Sequence, residues 1–120
     1  MPVAPTGITR GPTFAPLFRR QCEVAFYVES DSGDQKVAIL FNGVEIYRCT
    51  YRAALTADLI SAAYGRVVDL GQSDWLLEVG GQAHRYYSKV HQAPPSLKHL
   101  AICFDGGPAF EFICSDLSTP

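Results

Sequence analysis

Residues 97–114, LKHLAICFDGGPAFEFIC, constrain this chain more than any other stretch. Two apolar and aromatic runs flank Asp105-Gly106-Gly107-Pro108. Paired glycines supply the positive φ angles of a tight reversal, so the stretch predicts a β-hairpin. Both arms are apolar on both faces, which places at least one of them in the middle of a sheet. If 105–108 closes the turn, His99 faces Cys114 and Cys103 faces Phe110. One face of the pair then carries Ile102, Phe104, Glu111 and Ile113. The other carries His99, Cys103, Phe110 and Cys114.

The rest of the chain supplies partners for that hairpin. Residues 22–29 alternate, with Cys22, Val24, Phe26 and Val28 on one side, and predict a half-buried strand. Asp31-Ser32-Gly33-Asp34 is a polar turn; it lacks the length and closing Glu of a calcium loop. Residues 36–41 and 44–51 bracket Asn42-Gly43, the strongest short-range hairpin signal, with Phe41 opposite Val44 and Ile39 opposite Ile46. From 53 to 64 the apolar period becomes helical through Leu55, Leu59, Ile60 and Ala63, with Thr56 as N-cap and Gly65 just past the end. Residues 66–70 return to strand character. Ser73 then caps a short helix anchored by Trp75 and Leu76 that Gly80-Gly81 ends; a hairpin of 66–70 with 74–79 is the competing reading. Residues 82–93 read as a solvated loop or edge strand, and 117–120 as a frayed tail.

Together these elements predict one α+β domain over 19–120, preceded by a Pro-rich extended arm over 1–18. A single antiparallel sheet of five or six strands, with hairpins at 42–43 and 105–108, is covered on one face by one or two short helices. A chain of 120 residues with 48% hydrophobic content suffices for a core without metals or disulfides. No apolar run approaches the ~18 residues that span a membrane. Net charge is −2, which argues against a dedicated nucleic-acid binder, although Tyr86 and Tyr87 among His84, Arg85, Lys89 and His91 offer stacking surfaces.

Cys22, Cys49, Cys103 and Cys114 sit in strand-like runs with no CxxC spacing. They read as reduced thiols of a cytoplasmic protein, two disulfides in an exported protein being the alternative. No P-loop, GxGxxG, GxSxG or HExxH pattern is present, so no catalytic residue, cofactor or metal is assigned. Glu111 is a carboxylate in an apolar strand and has to be exposed, paired or raised in pKa.

Three stretches, FNGVEIYRCTYR, VVDLGQSDWLLEV and LKHLAICFDGGPAFEFIC, resemble as a set small uncharacterised bacterial α+β proteins, some of them similar to immunity proteins of toxin systems, over residues 37–115. The missing catalytic patterns and the many aromatic and apolar strand residues point to a non-enzymatic protein-binding module, either a homodimer or, as the resemblance implies, a toxin-neutralising immunity protein. Ile102, Phe104, Glu111 and Trp75 are the candidate partner-binding residues. The alternative is a small-molecule or hydrolytic site near His99, Cys114 and Tyr86.

Overall fold

The computed structural model describes residues 8–119, without the side chains of Thr9 and Arg10. The element order is β1 (Ile8–Leu17), β2 (Gln21–Ser30), β3 (Gly33–Asn42), β4 (Ile46–Thr50), a 3-10 turn (Arg52–Ala54), α1 (Ala57–Ala63), β5 (Val68–Asp69), α2 (Asp74–Lys89), β6 (Lys98–Cys103), β7 (Ala109–Cys114) and β8 (Asp116–Ser118). The expected single sheet is not formed. The strands make two four-stranded antiparallel sheets, ordered β1-β2-β3-β8 and β4-β7-β6-β5. Phe26, Ile39 and Phe41 from the first sheet meet Ile102, Phe110 and Phe112 from the second, and Phe104 just past β6, in one buried core. Phe41 and Phe112 stack with ring centroids 3.9 Å apart. Both helices lie on the outer face of the second sheet. α1 covers Ala101, Cys103 and Ala109, and α2 contributes the buried Leu76.

The correction originates at Asn42-Gly43. The dipeptide reverses no hairpin; it carries the chain from one sheet to the other. Gly43 does have φ +63°, but Val44 donates its N–H to the Arg20 carbonyl and Glu45 donates to that of Ile113. A Cβ at Gly43 would lie 2.5 Å from Ser115 Oγ, so the glycine serves a close crossing of two chains. The edge of β3 thus vacated takes β8 instead, and Asn42 Nδ2 donates to Asp116 and to Ser118. A sheet apolar on both faces needs cover on both sides. The second sheet has helices on one face and the first sheet on the other.

The N-terminal arm is a strand where it is described, and residues 1–7 of the expected arm lie outside the described residues. β1 is an edge strand with irregular register, which tolerates the missing donors of Pro12 and Pro16. In the closing hairpin β6 and β7 are both central, as the apolar arms require. The register differs by one residue from the expected one: Lys98 faces Cys114, His99 faces Ile113 and Ala101 faces Glu111. The loop spans 104–108, closed by bonds from Phe104 to Pro108 and from Gly107 to Phe104, with Gly106 and Gly107 at φ 74° and 79°. A one-residue slip exchanges the faces of a whole strand. Glu111 therefore shares the helix-covered face with His99, and Cys114 joins the core between the sheets.

α1 begins where expected, with Thr56 Oγ1 accepting from the Leu59 N–H. α2 begins on Ser73 but does not stop at Gly80-Gly81; it runs through residues 82–89, which are neither loop nor strand. A mid-helix glycine costs about 1 kcal/mol. Trp75 and Leu76 at one end, and Tyr87 at the other, hold the helix across that weak point. Tyr87 accepts from Arg20 and donates to Glu45.

Candidate functional site

β4 pairs with β7 so that Arg48 lies directly opposite Glu111, a cross-strand pair of opposite charges. Glu111 is 3% exposed. Arg48 donates to it twice, Nε to Oε2 at 2.7 Å and Nη2 to Oε1 at 2.9 Å, a bidentate geometry. On the diagonal position of β6, His99 Nε2 lies 2.9 Å from Oε1. Burial pushes the Glu111 carboxyl up, but the hydrogen bonds from His99 and Arg48 and their charges outweigh it and hold the pKa at about 2. The ionised carboxylate only accepts, so His99 Nε2 carries a proton. Nδ1 of His99 lies 2.7 Å from Ser73 Oγ, which also accepts the Leu76 N–H as the cap of α2. Trp75 closes the side. Its ring stands edge-on to His99 at 5.2 Å, and Arg48 Cζ lies 4.1 Å from its centroid.

Arg48, His99 and Glu111 of this network form the floor of a cleft of about 580 Å³ between β4 and α1. The wall is apolar, from Ala54, Leu55, Leu59 and Ala62; Thr50, Thr56 and Asp58 line it with polar groups. No described buried side-chain nitrogen or oxygen lacks a hydrogen-bond partner. The floor is therefore rigid: each polar group is fixed by another, and the charged head of Arg48 is held between Glu111 and Trp75. Among the described residues no group of three or more His, Cys, Asp and Glu is placed to hold a metal, and no helix is long and apolar enough to cross a membrane. No family model, curated protein or solved structure matches the chain. The cleft has to be read from its own chemistry.

The sequence-derived candidates scatter. Ile102 and Phe104, expected on a partner-binding face, are buried between the sheets. Glu111 and Trp75 do converge, but with His99, which had been placed on the opposite face. Cys114 lies on the far side of the sheet from His99, and burial pushes its thiol up to about 12, the reverse of thiolate activation. Tyr86 is exposed on α2 and packs edge-on against Tyr87, outside the cleft. Arg48 and Ser73 were missed as site residues. A signal was available for the first: Arg48 is the one charged residue of Ile46–Thr50 and Glu111 the one charged residue of Ala109–Cys114, and opposite charges on paired strands seek one another.

All four cysteines are free, and only Cys49 is exposed. Burial raises the thiols of Cys22 and Cys103 as well as that of Cys114. Titration of the native chain with a chromogenic disulfide reagent should therefore show one fast thiol, with the remaining three appearing only on unfolding. A second fast thiol in the folded chain would contradict the burial described. Ser73→Ala removes both the α2 cap and the partner of His99 Nδ1. It should cost about 1–3 kcal/mol in urea unfolding, and a loss below about 0.5 kcal/mol would mean that the cap is dispensable.

Proposed function

We propose that this chain is a non-enzymatic protein-binding module that seats a partner's side chain in the cleft above Glu111. A toxin-neutralising immunity protein is one form such a module takes. The observation that carries the reading is the coincidence of a cleft of about 580 Å³ with a floor whose polar groups are already satisfied. Catalysis at such a floor would need a base or nucleophile with a free lone pair facing substrate. His99 has both ring nitrogens engaged, and Cys114 is remote and protonated. A prearranged polar floor beside an apolar wall favours recognition, because little side-chain entropy remains to be lost on binding.

The test is paired capture with the full chain. Ala62 lines the cleft, and Ala62→Trp fills it; Ser61→Trp, on the exposed side of the same helix, is the control. Both variants are first checked for wild-type thermal unfolding. The wild type and the Ser61→Trp variant are expected to retain one protein from a lysate of the source organism at a fixed stoichiometry, and Ala62→Trp to lose it. No retained protein, or one indifferent to Ala62→Trp, would overturn the reading.

A further inference from the structure

We propose that the partner is engaged by strand addition: an extended segment, acidic residues alternating with apolar ones, pairs with the free edge of β4. This rests on the protein-binding reading above and specifies how the partner is held. β4 is the last strand of its sheet and pairs with β7 alone among the described residues. Ile46, Tyr47, Arg48 and Cys49 are all exposed, although they alternate between the two faces of the strand. Edge strands are commonly blunted by proline, lysine or a bulge. Ile46–Thr50 has none of these, and its pairing with β7 is regular. A row of backbone N–H and C=O groups is thus open to another chain.

Two hollows flank that edge. Toward the end of β4, on the helix side, Arg48 and Thr50 line the 580 Å³ cleft. At its start a second hollow of about 300 Å³ has Pro16, Leu17, Val44, Ile46 and Tyr47 as its apolar lining, with Arg20, Gln21 and Glu45 as its polar side. Tyr47 faces away from the cleft, tilted against Phe14 of β1 at 4.9 Å. A strand sends successive side chains to opposite faces, so a segment paired with β4 presents one set to the cleft and the other to the second hollow, where Leu17, Val44 and Tyr47 offer apolar contact. The hollow is held in shape by the β1–β2 turn. Its Arg19 and Arg20 have φ of 64° and 60°, a conformation costly for non-glycine residues. Arg20 is fixed there by a 2.8 Å ion pair with Glu45 and by Tyr87. Next to Leu17, Phe18 stands 88% exposed at the turn.

Charge selects the occupant. Arg48 is the one charged residue of Ile46–Thr50; its side chain is about half exposed, and its two bonds to Glu111 use Nε and Nη2. Nη1 remains for a further acceptor, on the side of the cleft away from the Asp58 wall; Arg52 lies instead beside the loop at Gly107. A second copy of this chain pairing β4 with β4 about a two-fold axis centred on Arg48 would bring two Arg48–Glu111 pairs together and offer neither Nη1 an acceptor; an acidic side chain of a different protein opposite Arg48 supplies one.

The probes are short synthetic peptides alternating glutamate with leucine, titrated into the wild-type chain with backbone amide shifts as readout, so that no variant has to fold. Shifts centred on Ile46–Thr50 are expected, with hydrogen exchange slowed along that strand. N-methylation of every second peptide amide, in the phase that removes the donors facing β4, should abolish binding, and lysine in place of glutamate should weaken it severalfold. Absence of binding, binding indifferent to N-methylation, or shifts away from β4 would each overturn strand addition. Capture that depends on Ala62, from the preceding experiment, would still stand, so the two failures are distinguishable. A concentration-dependent dimer in light scattering that Ile46→Lys abolishes would overturn the choice of a different protein as occupant.

Discussion

Glu111→Ala should lower the unfolding free energy by about 3–5 kcal/mol, measured by urea denaturation at neutral pH. The loss is not the value of one ion pair. Truncation leaves His99, 3% exposed, without an acceptor for Nε2, and leaves Arg48 beside an apolar wall with no counter-ion. Removing the network as a whole is a different matter, because the desolvation of Glu111 disappears with it. A triple variant, Arg48→Met with His99→Leu and Glu111→Leu, should therefore recover most of what Glu111→Ala loses. A triple variant as unstable as the single one would mean that the network adds net stability of its own.

The same carboxylate links stability to pH. Its folded pKa of about 2 lies below the ordinary 4.5, so the folded state favours the ionised form. The stabilisation is fully present above the unfolded value and is lost as pH falls from about 4.5 to about 2. It amounts to something on the order of 3 kcal/mol. Wild-type stability should fall across that window, and the triple variant should fall less.

Phe112→Ala should cost about 3–5 kcal/mol, as should Phe41→Ala, because each empties half of a stacked pair that is wholly buried where the sheets meet. The double variant should be less than additive, with a coupling of about 0.5–1.5 kcal/mol from the ring contact. Phe18→Ala, on an exposed turn, should fall within about 0.5 kcal/mol of wild type. Additive losses for Phe41 and Phe112 would contradict the packing of one sheet on the other at this point.

The local elements were legible where side chains decide them. Thr56 and Ser73 marked both helix starts, because a hydroxyl before a helical period has a defined partner in the third N–H beyond it. The alternation of residues 22–29 and the apolar arms of 97–114 marked strands. Chain direction after a turn was less legible. Asn42-Gly43 carries the residue types of a hairpin, yet the bonds that decide its course come from Arg20, Ile113 and Ser115, all distant in sequence. Missing that crossing merged two sheets into one.

The candidate site suffered from the same kind of error at smaller scale. A four-residue turn and a five-residue loop both accommodate the glycine pair in 104–108, and the difference decides whether Glu111 lies with Ile102 or with His99. The alternation of β6 sets His99 and Ile102 on opposite faces, as expected; β7 pairs with it one residue away from the register that a four-residue turn would give. Arg48 completes the site only because β4 leaves β3 for β7, so the crossing at Gly43 and the pairing with Glu111 have one cause.

The cleft is floored by a hydrogen-bonded carboxylate that stays ionised at neutral and mildly acidic pH. The direct measurement is a carbon-13 titration of the Glu111 side-chain carboxyl in the folded wild-type chain, assigned with Glu111→Gln. A midpoint near 2, or no titration before acid unfolding, is the predicted result. A midpoint at or above the ordinary 4.5 would contradict it.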